Sequence, residues 1–542
     1  MSKFKKVRLS DYVAKRCQLE DISDVFLVTG GGSMHLNDAF ARNPDLSITC
    51  FHHEQSASMA ADGYYRVNNK PVVLNLTTGP GCLNALNGVH GAYVDSLALI
   101  IISGQVKRET LQTNQKLPMR QLGDQEVDII SVIKPMVKYA VRVEDPDSIK
   151  TVLDKAFWIA KNGRPGPVWI DIPIDVQATY IDYPQEFGET INYTEVRHDA
   201  CVTDNTKQEL DSLFISPSNL HLDQILEHLA LARKPVILAG TGVRISGMYK
   251  AFHELINLLG IPVVTGWNAH DLVRTNHQFF AGKPGTQGDR AGNFTVQNAD
   301  FLLILGCRLN IRQISYNWKN FAKGAFKVMV DADKGELEKT TLQIDLKINA
   351  LLQDFIPSFL SSLNNYVRPV IHKNYLEWCL TRLDKYTVGP KEGFEKTGYN
   401  INPYSFLYYF FDDLKCGDTV VTANGSACVM GFQVAKIKEN QRVFTNSGSA
   451  SMGYDLPASI GASIATKKGI VFCIAGDGSI MMNLQELQTI VTYELPIKII
   501  LLNNSGYASI RQTQRNYFPD NIFGTGTKGD GLNFPDFSAV AN

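Results

Sequence analysis

Asp477 and Asn504 have side chains that suit a metal ion, and each follows an apolar run of the sequence. Asp477 lies in the triplet Gly476-Asp-Gly478, and Asn504 lies 504 − 477 = 27 positions later. A carboxylate, an amide oxygen and a nearby backbone carbonyl are hard oxygen ligands, which suit a Mg²⁺ ion that also binds water and phosphate oxygens. The two glycines let a phosphate approach the backbone closely. The stretch therefore predicts a site for a metal ion and a diphosphate.

These residues must be positioned by two strands and a helix. The sequence predicts a strand from Ile470 to Ala475, a helix from about Met482 to Tyr493 and a second strand from Ile497 to Leu502. Ligands of open α/β sheets bind beyond the carboxyl ends of the strands, so Asp477 and Asn504 can be neighbours in space. A Gly-Asp-Gly triplet alone is typical of a plain turn. The succession of strand, helix, strand and two asparagines favours the binding site.

The whole arrangement resembles the thiamine diphosphate fingerprint, in which Gly-Asp-Gly is followed at a similar spacing by Asn-Asn. That resemblance implies that Asp477, Asn504 and the backbone carbonyl of Gly506 bind Mg²⁺. It also implies that Gly476, Gly478 and Ser479 lie beside the cofactor.

A second segment, Phe51-His-His-Glu54-Gln-Ser-Ala-Ser-Met-Ala-Ala-Asp-Gly-Tyr-Tyr-Arg, follows a predicted strand and places Glu54 where a helix begins. A carboxylate at this position also suits the helix dipole without any catalytic role. The segment, with Leu76-Thr-Thr-Gly-Pro-Gly-Cys-Leu-Asn84 after it, resembles the pyrimidine-binding domain of thiamine diphosphate enzymes. It is most similar to the acetolactate synthase branch, and further motifs follow in the order of that family, including Met452-Gly-Tyr-Asp-Leu-Pro-Ala.

The resemblance assigns expected roles to individual residues. Glu54 is expected to hydrogen-bond the aminopyrimidine ring and exchange a proton with it, which requires a partly desolvated carboxyl group. Met452 matches the apolar residue under the thiazolium ring, although an ordinary core methionine is the alternative. The remaining residues expected at the cofactor are Gly32, Thr78, Pro80, Asn84, Gly425, Ser426, Ala427 and Ala450.

Three further residues, Gln125, Lys138 and Arg312, align with positions that acetolactate synthases place near the reacting keto acid. The guanidinium of Arg312 has the planar fork that binds a carboxylate with two hydrogen bonds, although an exposed structural arginine is the alternative. Arg308 and the segment Asp331-Ala-Asp333 resemble the flavin region of the same enzymes. Because decarboxylases use this middle domain with no flavin or with another nucleotide, FAD stays an open alternative.

The sequence departs from the family pattern at several positions. The loop from Gly123 to Glu126 is shorter than its counterpart, and Thr513 stands where many anabolic members have tryptophan. Ala427 and Cys428 replace a histidine and a glutamine near the diphosphate. Related chains continue beyond the position of Asn542, so the third domain is expected to be incomplete at its C-terminus.

Composition excludes several function classes. The 542 residues include 44% hydrophobic and 20% charged residues and carry a net charge of −1, which does not favour nucleic-acid binding. No apolar run approaches the length of a membrane span, and no signal segment is predicted. The nine cysteines are scattered without a Cys-x-x-Cys pair, which predicts free thiols and a cytoplasmic protein.

Three blocks in which helices alternate with short apolar runs predict the α/β class, with three doubly wound parallel-sheet domains. The predicted boundaries are 1–182 for a pyrimidine-binding domain, 183–221 for a linker, 222–364 for a central domain and 365–542 for the diphosphate-binding domain. No short-period repeat is present.

The sequence is therefore interpreted as that of an enzyme similar to acetolactate synthase. The resemblance implies thiamine diphosphate and Mg²⁺, a 2-oxo acid, most readily pyruvate, as donor, a carbonyl compound as acceptor, and a homodimer or homotetramer with the active site at the subunit interface. The alternatives are acetyl transfer to a nucleotide-linked keto-sugar, simple decarboxylation, and a non-catalytic homologue that keeps only the fold. Intact Glu54, Asp477 and Asn504 argue against the last.

Overall fold

The computed structural model describes residues 5–115, 118–183, 196, 199–364, 366–389, 401–526 and 529–541. These residues form an α/β protein that divides into two compact units. The first unit contains Met1–Leu210, Asn446–Cys473 and Ser479–Ile499, and the second contains Asp211–Thr445, Ile474–Gly478 and Ile500–Asn542.

The strands are numbered in chain order. They are β1 (Lys5–Arg8), β2 (Asp24–Leu27), β3 (Ser47–Cys50), β4 (Val73–Leu76), β5 (Ile100–Gln105), β6 (Tyr139–Arg142), β7 (Val168–Pro173), β8 (Tyr180–Tyr183), β9 (Pro235–Ala239), β10 (Val263–Thr265), β11 (Phe301–Leu305), β12 (Phe326–Asp331), β13 (Leu346–Asn349), β14 (Thr419–Thr422), β15 (Arg442–Phe444), β16 (Val471–Gly476) and β17 (Ile497–Leu502).

The α-helices of the first unit are Leu9–Leu19, Met34–Arg42, Glu54–Asn68, Pro80–Asn84, Leu86–Val94, Ile129–Ile133, Ile149–Lys161, Ile174–Gln177, Asp204–Leu210, Asp455–Ala465 and Glu486–Thr492. Those of the second unit are Asn219–Leu231, Gly242–Ile245, Tyr249–Leu259, Arg290–Gln297, Ile311–Ile314, Lys334–Glu338, Leu352–Ser362, Val370–Lys385, Pro403–Asp413, Ser426–Val434, Ala508–Tyr517 and Phe537–Ala541. The short helix Asp477–Ile480 crosses the division.

The N-terminal sheet has six strands in the order β3-β2-β4-β5-β7-β6, and all of its neighbouring strands are parallel. Helices cover both faces of a parallel sheet, so its central strands are buried throughout, as in the Ile100–Gln105 strand, which begins with three isoleucines. The sequence predicts this sheet but misses β6 and the antiparallel pair of β1 with β8.

Two helices of the first unit cross with their backbones in contact. We call them the Glu54 helix (Glu54–Asn68) and the Asp455 helix (Asp455–Ala465). A Cβ atom at Gly63 would lie 2.3 Å from the carbonyl oxygen of Ala458, and one at Gly461 would lie 1.8 Å from that of Ala60. Only glycine fits both positions, so the backbones of the two helices can touch at this crossing.

The central sheet of the second unit is parallel throughout, with the strand order β10-β9-β11-β12-β13. The helix Val370–Lys385, which falls in the predicted third domain, packs on this central sheet instead. Tyr375 and Cys379 belong to its buried apolar core, and the Tyr375 hydroxyl donates to the carbonyl of Thr295 at 2.7 Å. The predicted linker 183–221 also contains regular structure where it is described, because the helix Asp204–Leu210 begins within it.

The fourth sheet has the strand order β15-β14-β16-β17. The strand predicted from Ile497 to Leu502 has those bounds, and the strand before Asp477 begins one residue later than predicted. The predicted helix from Met482 to Tyr493 is wrong at its start, because the helix begins at Glu486. Asn483 causes the difference: its amide donates to the carbonyl of Gly453 at 2.7 Å, which keeps the preceding residues in turns.

The nine cysteines are all free, as predicted, and six of them are buried. Among the described residues, every helix is too short or too polar to cross a lipid bilayer. The α/β class with several parallel sheets, predicted from the alternation of helices and strands, is confirmed.

Candidate cofactor and metal site

Asp477 is the buried centre of the predicted metal site, in the second unit. Its side chain is 1% exposed at the end of β16. Oδ1 accepts the N–H of Gly478 at 2.8 Å, and Oδ2 accepts the N–H groups of Asn504 at 3.1 Å and Gly506 at 2.8 Å. The structure thus brings together the two ends of the motif that the sequence separates by a helix and a strand.

The loop Asn504–Gly506 has an unusual backbone that suits this contact. Ser505 has a φ of 61° and Gly506 a φ of 124°. A Cβ atom at Gly506 would lie 2.1 Å from the carbonyl oxygen of Thr525, so only glycine fits there. The loop therefore turns its N–H groups toward Asp477 while the side chain of Asn504 stays exposed.

This donor set fits Mg²⁺. Asp477 is fixed by three backbone N–H groups, but its Oδ1 accepts only one of them, which leaves a lone pair on that oxygen for a cation. The exposed amide of Asn504 and the carbonyl of Gly506 are further oxygen atoms, on the same loop, of the kind that Mg²⁺ binds. One carboxylate with two neutral oxygens is typical of a Mg²⁺ ion that also binds phosphate oxygens and water.

The residues expected at the diphosphate, Gly425, Ser426 and Ala427, begin the helix Ser426–Val434. Gly425 has a φ of 105°, and a Cβ atom there would meet no atom within 4 Å, so the turn is open in front of the helix. A Cβ atom at Gly476 would likewise meet no atom within 4 Å. Backbone N–H groups at a helix start attract phosphate, which suits the expectation from the sequence. Gly478, in contrast, is covered by the ring of Tyr507, which lies 2.3 Å from the position that a Cβ atom of Gly478 would take.

Glu54 begins the Glu54 helix in the first unit, as predicted, and is 8% exposed. The preceding residue, His53, caps the helix by accepting the N–H of Gln55 at 3.1 Å. Oε2 of Glu54 accepts the amide of Asn84 at 3.0 Å. A Cβ atom at Gly81 would lie 3.1 Å from Oε1, so the glycine keeps the space beside this oxygen open.

Gly32, Thr78 and Pro80 surround the turn that leads to Asn84. A Cβ atom at Gly32 would lie 2.0 Å from the hydroxyl oxygen of Thr78, and that hydroxyl donates to the carbonyl of Gly104 at 3.1 Å. Pro80 is the first residue of the helix Pro80–Asn84, a position that proline favours. The structure therefore brings four of the predicted residues of this domain, with Glu54, into one region.

Gln125 adjoins the same turn. It has a φ of 60° and an exposed side chain, and a Cβ atom at Gly79 would lie 1.9 Å from its carbonyl oxygen. The buried carboxylate of Glu126 organises this loop by accepting the N–H groups of Gln112 at 2.5 Å and Gly123 at 3.0 Å. A non-glycine residue held in the left-handed region with a free side chain is typical of functional loops.

Ala450 and Met452 lie in a tight turn of the first unit. Ala450 has a φ of 54°, and Met452 is half-buried. Ser479 closes this turn, because its hydroxyl accepts the N–H of Gly453 at 2.8 Å. The sequence predicts Ser479 beside the cofactor and the metal. In the structure Ser479 contacts the turn that carries Met452.

A buried polar network that sequence reasoning missed joins this turn to the Glu54 helix. Asp62 accepts Arg66 at 2.6 Å and the hydroxyl of Tyr454, and Arg66 also donates to Asp95 at 2.7 Å. Asp95 in turn accepts the N–H of Gly448 at 3.0 Å. Burial raises the pKa of Asp62 despite its bond to Arg66. The motif Asp62-Gly-Tyr-Tyr-Arg66 could have indicated the Asp62–Arg66 ion pair, because residues four positions apart are neighbours on a helix.

Lys138 requires a correction. It is 1% exposed, and its ammonium donates to the carbonyls of Ile159 at 2.8 Å and Asn162 at 2.7 Å. Burial lowers its pKa to about 8. Those bonds satisfy the carbonyls at the end of the helix Ile149–Lys161 and give Lys138 a structural role, so we leave it out of the catalytic set proposed below.

Arg312 lies in the second unit on the short helix Ile311–Ile314, with its guanidinium 5.5 Å from the ring centre of Trp267. The side-chain oxygen of neighbouring Gln313 accepts the backbone N–H of Trp267 at 3.0 Å. The stacked arginine is half-buried, and the aromatic partner orients the planar guanidinium while leaving its N–H groups available for a carboxylate.

Two buried carboxyl groups near these regions have raised pKa values. Burial raises the pKa of Asp171 to about 7, although hydrogen bonds from Ser103 at 2.6 Å and Gln105 at 3.1 Å oppose it. Burial likewise raises the pKa of Asp455 to about 6. Gln105 also donates to the carbonyl of Val127 at 3.0 Å, so Asp171 supports the loop that carries Gln125.

Comparison with protein families finds three matching family models. Residues 7–132 match the thiamine pyrophosphate enzyme N-terminal TPP binding domain, residues 222–358 the central domain and residues 423–542 the C-terminal TPP binding domain.

Several acetolactate synthase large subunits are similar to this chain over most of their length. An acetolactate synthase large subunit from Cyanidium caldarium is 31% identical over 493 residues, which cover 90% of this chain and 79% of that protein. The acetolactate synthase isozyme 2 large subunit of Escherichia coli is 29% identical over 534 residues, 98% of this chain and 89% of that protein. The acetolactate synthase large subunit of Lactococcus lactis is 29% identical over 499 residues, which cover 92% of this chain and 80% of that protein.

Proposed function

The chain belongs to the thiamine diphosphate-dependent enzymes, in the acetolactate synthase large-subunit family, and we propose that it decarboxylates a 2-oxo acid, most readily pyruvate, and joins the remaining acyl unit to a carbonyl acceptor. The observation that carries this proposal is the contact of buried Asp477 with the N–H groups of Asn504 and Gly506. A fold kept without its chemistry has no need of a buried carboxylate beside an open, glycine-lined turn. This argues against the non-catalytic homologue.

We assign Mg²⁺ to Asp477, Asn504 and the carbonyl of Gly506. The ion would neutralise the diphosphate of the cofactor, which the start of the helix Ser426–Val434 and the glycines Gly425, Gly476 and Gly478 would receive. Thiamine diphosphate, when bound, supplies the electron sink for cleavage of the bond to the carboxylate. The protein contributes binding, orientation and proton transfer.

Glu54 is the proposed proton-exchanging group. Its Oε2 is held by Asn84, and the open side at Gly81 leaves Oε1 free to exchange a proton with a ring nitrogen of the cofactor. Ala450 and Met452, in the turn closed by Ser479, would contact the cofactor and hold its rings in place. Gly32, Thr78 and Pro80 would shape its surroundings.

Gln125 and Arg312 are the proposed substrate-binding residues. Gln125 presents an exposed amide from a strained loop, and Arg312 presents a stacked guanidinium that suits the carboxylate of a 2-oxo acid. A change at either residue should therefore raise KM for the donor more than it weakens cofactor binding.

The identity of the acceptor substrate is the most specific part of the proposal. Thr513 is exposed on the helix Ala508–Tyr517, and its hydroxyl donates to the carbonyl of Ser509 at 3.1 Å. A small side chain there provides no aromatic wall for 2-oxobutyrate, and such a wall contributes about 1–3 kcal/mol of selectivity. We propose slow formation of acetolactate, little preference for 2-oxobutyrate, and acceptance of bulkier carbonyl compounds, including a nucleotide-linked keto-sugar.

The test of the reaction supplies pyruvate, thiamine diphosphate and Mg²⁺ with equal amounts of 2-oxobutyrate and a nucleotide-linked keto-sugar, and identifies the products by mass. Acetolactate together with a sugar adduct is the expected result. A strong bias to acetohydroxybutyrate without a sugar adduct would favour the plain anabolic enzyme, and free acetaldehyde alone would favour a simple decarboxylase. A colourless, fully active preparation would exclude FAD, whereas a bound flavin spectrum would include it.

We further propose a homodimer or homotetramer in the cytoplasm, in which Glu54 and Asp477 of different subunits serve one cofactor. Mixing inactive Glu54→Gln and Asp477→Asn proteins tests this arrangement. Random reassociation should restore roughly one quarter of the wild-type activity, because each mixed dimer contains one intact site. A site built within a single chain would stay inactive in every mixture.

A further inference from the structure

The loop Asn504–Gly506 lies between two opposite charges of the second unit. On one side its N–H groups donate to the carboxylate of Asp477. On the other side the guanidinium of Arg511, on the helix Ala508–Tyr517, donates to the carbonyl of Ser505 at 2.7 Å and approaches that of Asn504 at 3.5 Å. The N–H side and the carbonyl side of the loop are thus both held by charged groups.

One peptide group connects the two charges directly. The carbonyl of Ser505 accepts from Arg511, and the N–H of the same peptide unit, which belongs to Gly506, donates to Asp477 at 2.8 Å. Hydrogen bonds to charged partners are stronger than neutral ones, and two in series polarise the amide between them. Arg511 therefore strengthens the bond that orients Asp477 without contacting that carboxylate.

This loop needs external support, because its backbone is strained. Ser505 has a φ of 61°, in the left-handed region that non-glycine residues seldom adopt. Arg511 also ties the loop to a neighbouring segment, since it donates to the carbonyl of Thr525 at 2.9 Å. The N–H of Tyr507 donates to the same carbonyl at 2.9 Å, and Thr525 is anchored in turn by Asp530, which accepts its N–H at 2.8 Å.

We propose that Arg511 is a positioning residue of the metal site, which holds the Ser505–Gly506 peptide so that Asn504 and Gly506 present their oxygens to Mg²⁺ beside Asp477. This inference rests on the proposed function. A cation near a metal site also repels the metal, but Arg511 is only half-buried and lies on the carbonyl side of the loop, so solvent screens that repulsion. Its positioning effect dominates.

The test compares Mg²⁺ affinity in four proteins: wild type, Arg511→Gln, Arg511→Lys and Arg515→Gln. Arg515 is the matched control, because it is an exposed arginine one turn further along the same helix, so its loss changes the net charge equally. Mg²⁺ is titrated calorimetrically at low temperature into the full-length protein with excess thiamine diphosphate. The melting temperature without ligands is measured in parallel.

We expect Arg511→Gln to weaken Mg²⁺ binding by about 10- to 100-fold, as loss of a group that orients metal ligands does. Arg511→Lys keeps the positive charge but lacks the planar fork, so its Mg²⁺ affinity should fall by less. The Mg²⁺ affinity of Arg515→Gln should equal that of the wild type. Equal Mg²⁺ affinity in Arg511→Gln and Arg515→Gln would overturn the inference, even if Arg511→Gln lowers the melting temperature.

A fifth protein, Asp477→Asn, separates this inference from the proposed function. If Asp477→Asn loses Mg²⁺ binding while Arg511→Gln keeps it, only the role of Arg511 is wrong. If Asp477→Asn binds Mg²⁺ as the wild type does, the metal site itself is wrong, and the inference falls with it.

Discussion

The amide nitrogen of Asn84 lies 3.0 Å from Oε2 of Glu54, which joins the end of a short helix to the first residue of a long one. The bond occupies one carboxylate oxygen and orients the group. The other oxygen lies beside Gly81, where a side chain would approach it to 3.1 Å. Glu54 is therefore held in place while one of its oxygens stays available for proton exchange.

Changing Glu54 to Gln should reduce turnover by about 10²-fold or more while thiamine diphosphate still binds, because the substitution keeps size and hydrogen bonding but removes the exchangeable proton. Steady-state turnover and cofactor affinity are measured on the same preparation. Glu377→Gln, on an exposed helix face, is the control. A near-normal rate for Glu54→Gln would show that Glu54 is not the proton-exchanging group.

Changing Asp477 to Asn should abolish the Mg²⁺-dependent part of the thermal stabilisation by thiamine diphosphate. The diphosphate then lacks its counter-ion, and three backbone N–H groups lose a charged acceptor. Melting temperatures are compared with cofactor alone and with cofactor plus Mg²⁺. An unchanged difference between the two conditions in the variant would eliminate this metal site.

Changing Gly79 to Ala should raise KM for pyruvate and lower stability. Gly79 has a φ of 65°, and the new Cβ atom would lie 1.9 Å from the carbonyl oxygen of Gln125, so the loop that carries Gln125 must move. The control is Gly324→Ala, where the nearest atom would be 3.9 Å away. If both variants have the wild-type KM, the position of Gln125 does not matter for the substrate.

Asp171 should make stability decrease as pH rises from about 4 to about 7. Its pKa is raised by burial to about 7, against about 3.9 in the unfolded chain. In this window the folded state keeps a proton that the unfolded state has lost, so the free energy of unfolding falls with pH, by roughly 4 kcal/mol at most. Urea unfolding of Asp171→Asn should show a flatter profile across this window. An equally steep profile in Asp171→Asn would assign the pH dependence to other groups.

Apolar runs predicted the sheets well, because strands buried on both faces are recorded in the sequence as continuous hydrophobic segments. The strand Ile497–Leu502 was predicted to the residue. Strands β6 and β13 were missed, since their outer residues are polar or only partly buried. The helix after Asp477 was predicted too long, because Asn483 bonds Gly453 and Ser56, which are distant in sequence.

The candidate site could be predicted only where residue type and spacing indicate chemistry. Asp477, Asn504 and Glu54 belong to recognisable motifs. The structure buries Asp477 against the N–H of Asn504 and holds Glu54 through Asn84, while their roles at the cofactor stay predictions. Arg511 and Glu126 could not be found in this way, because their roles are hydrogen bonds to backbone groups of loops, and such bonds leave no periodic signal. The resemblance places Lys138 near the substrate, but the sequence does not show that its ammonium is buried and bonded to two backbone carbonyls.

The most direct test of the central claim follows the release of CO₂ from carboxyl-labelled pyruvate by the purified protein. Thiamine diphosphate and Mg²⁺ are supplied separately and together, to the wild type and to Asp477→Asn. Label should be released only by the wild type and only when both are present. Release that needs neither of them, or no release at all by the wild type with both, would contradict the assignment of this protein as a Mg²⁺- and thiamine diphosphate-dependent decarboxylating enzyme.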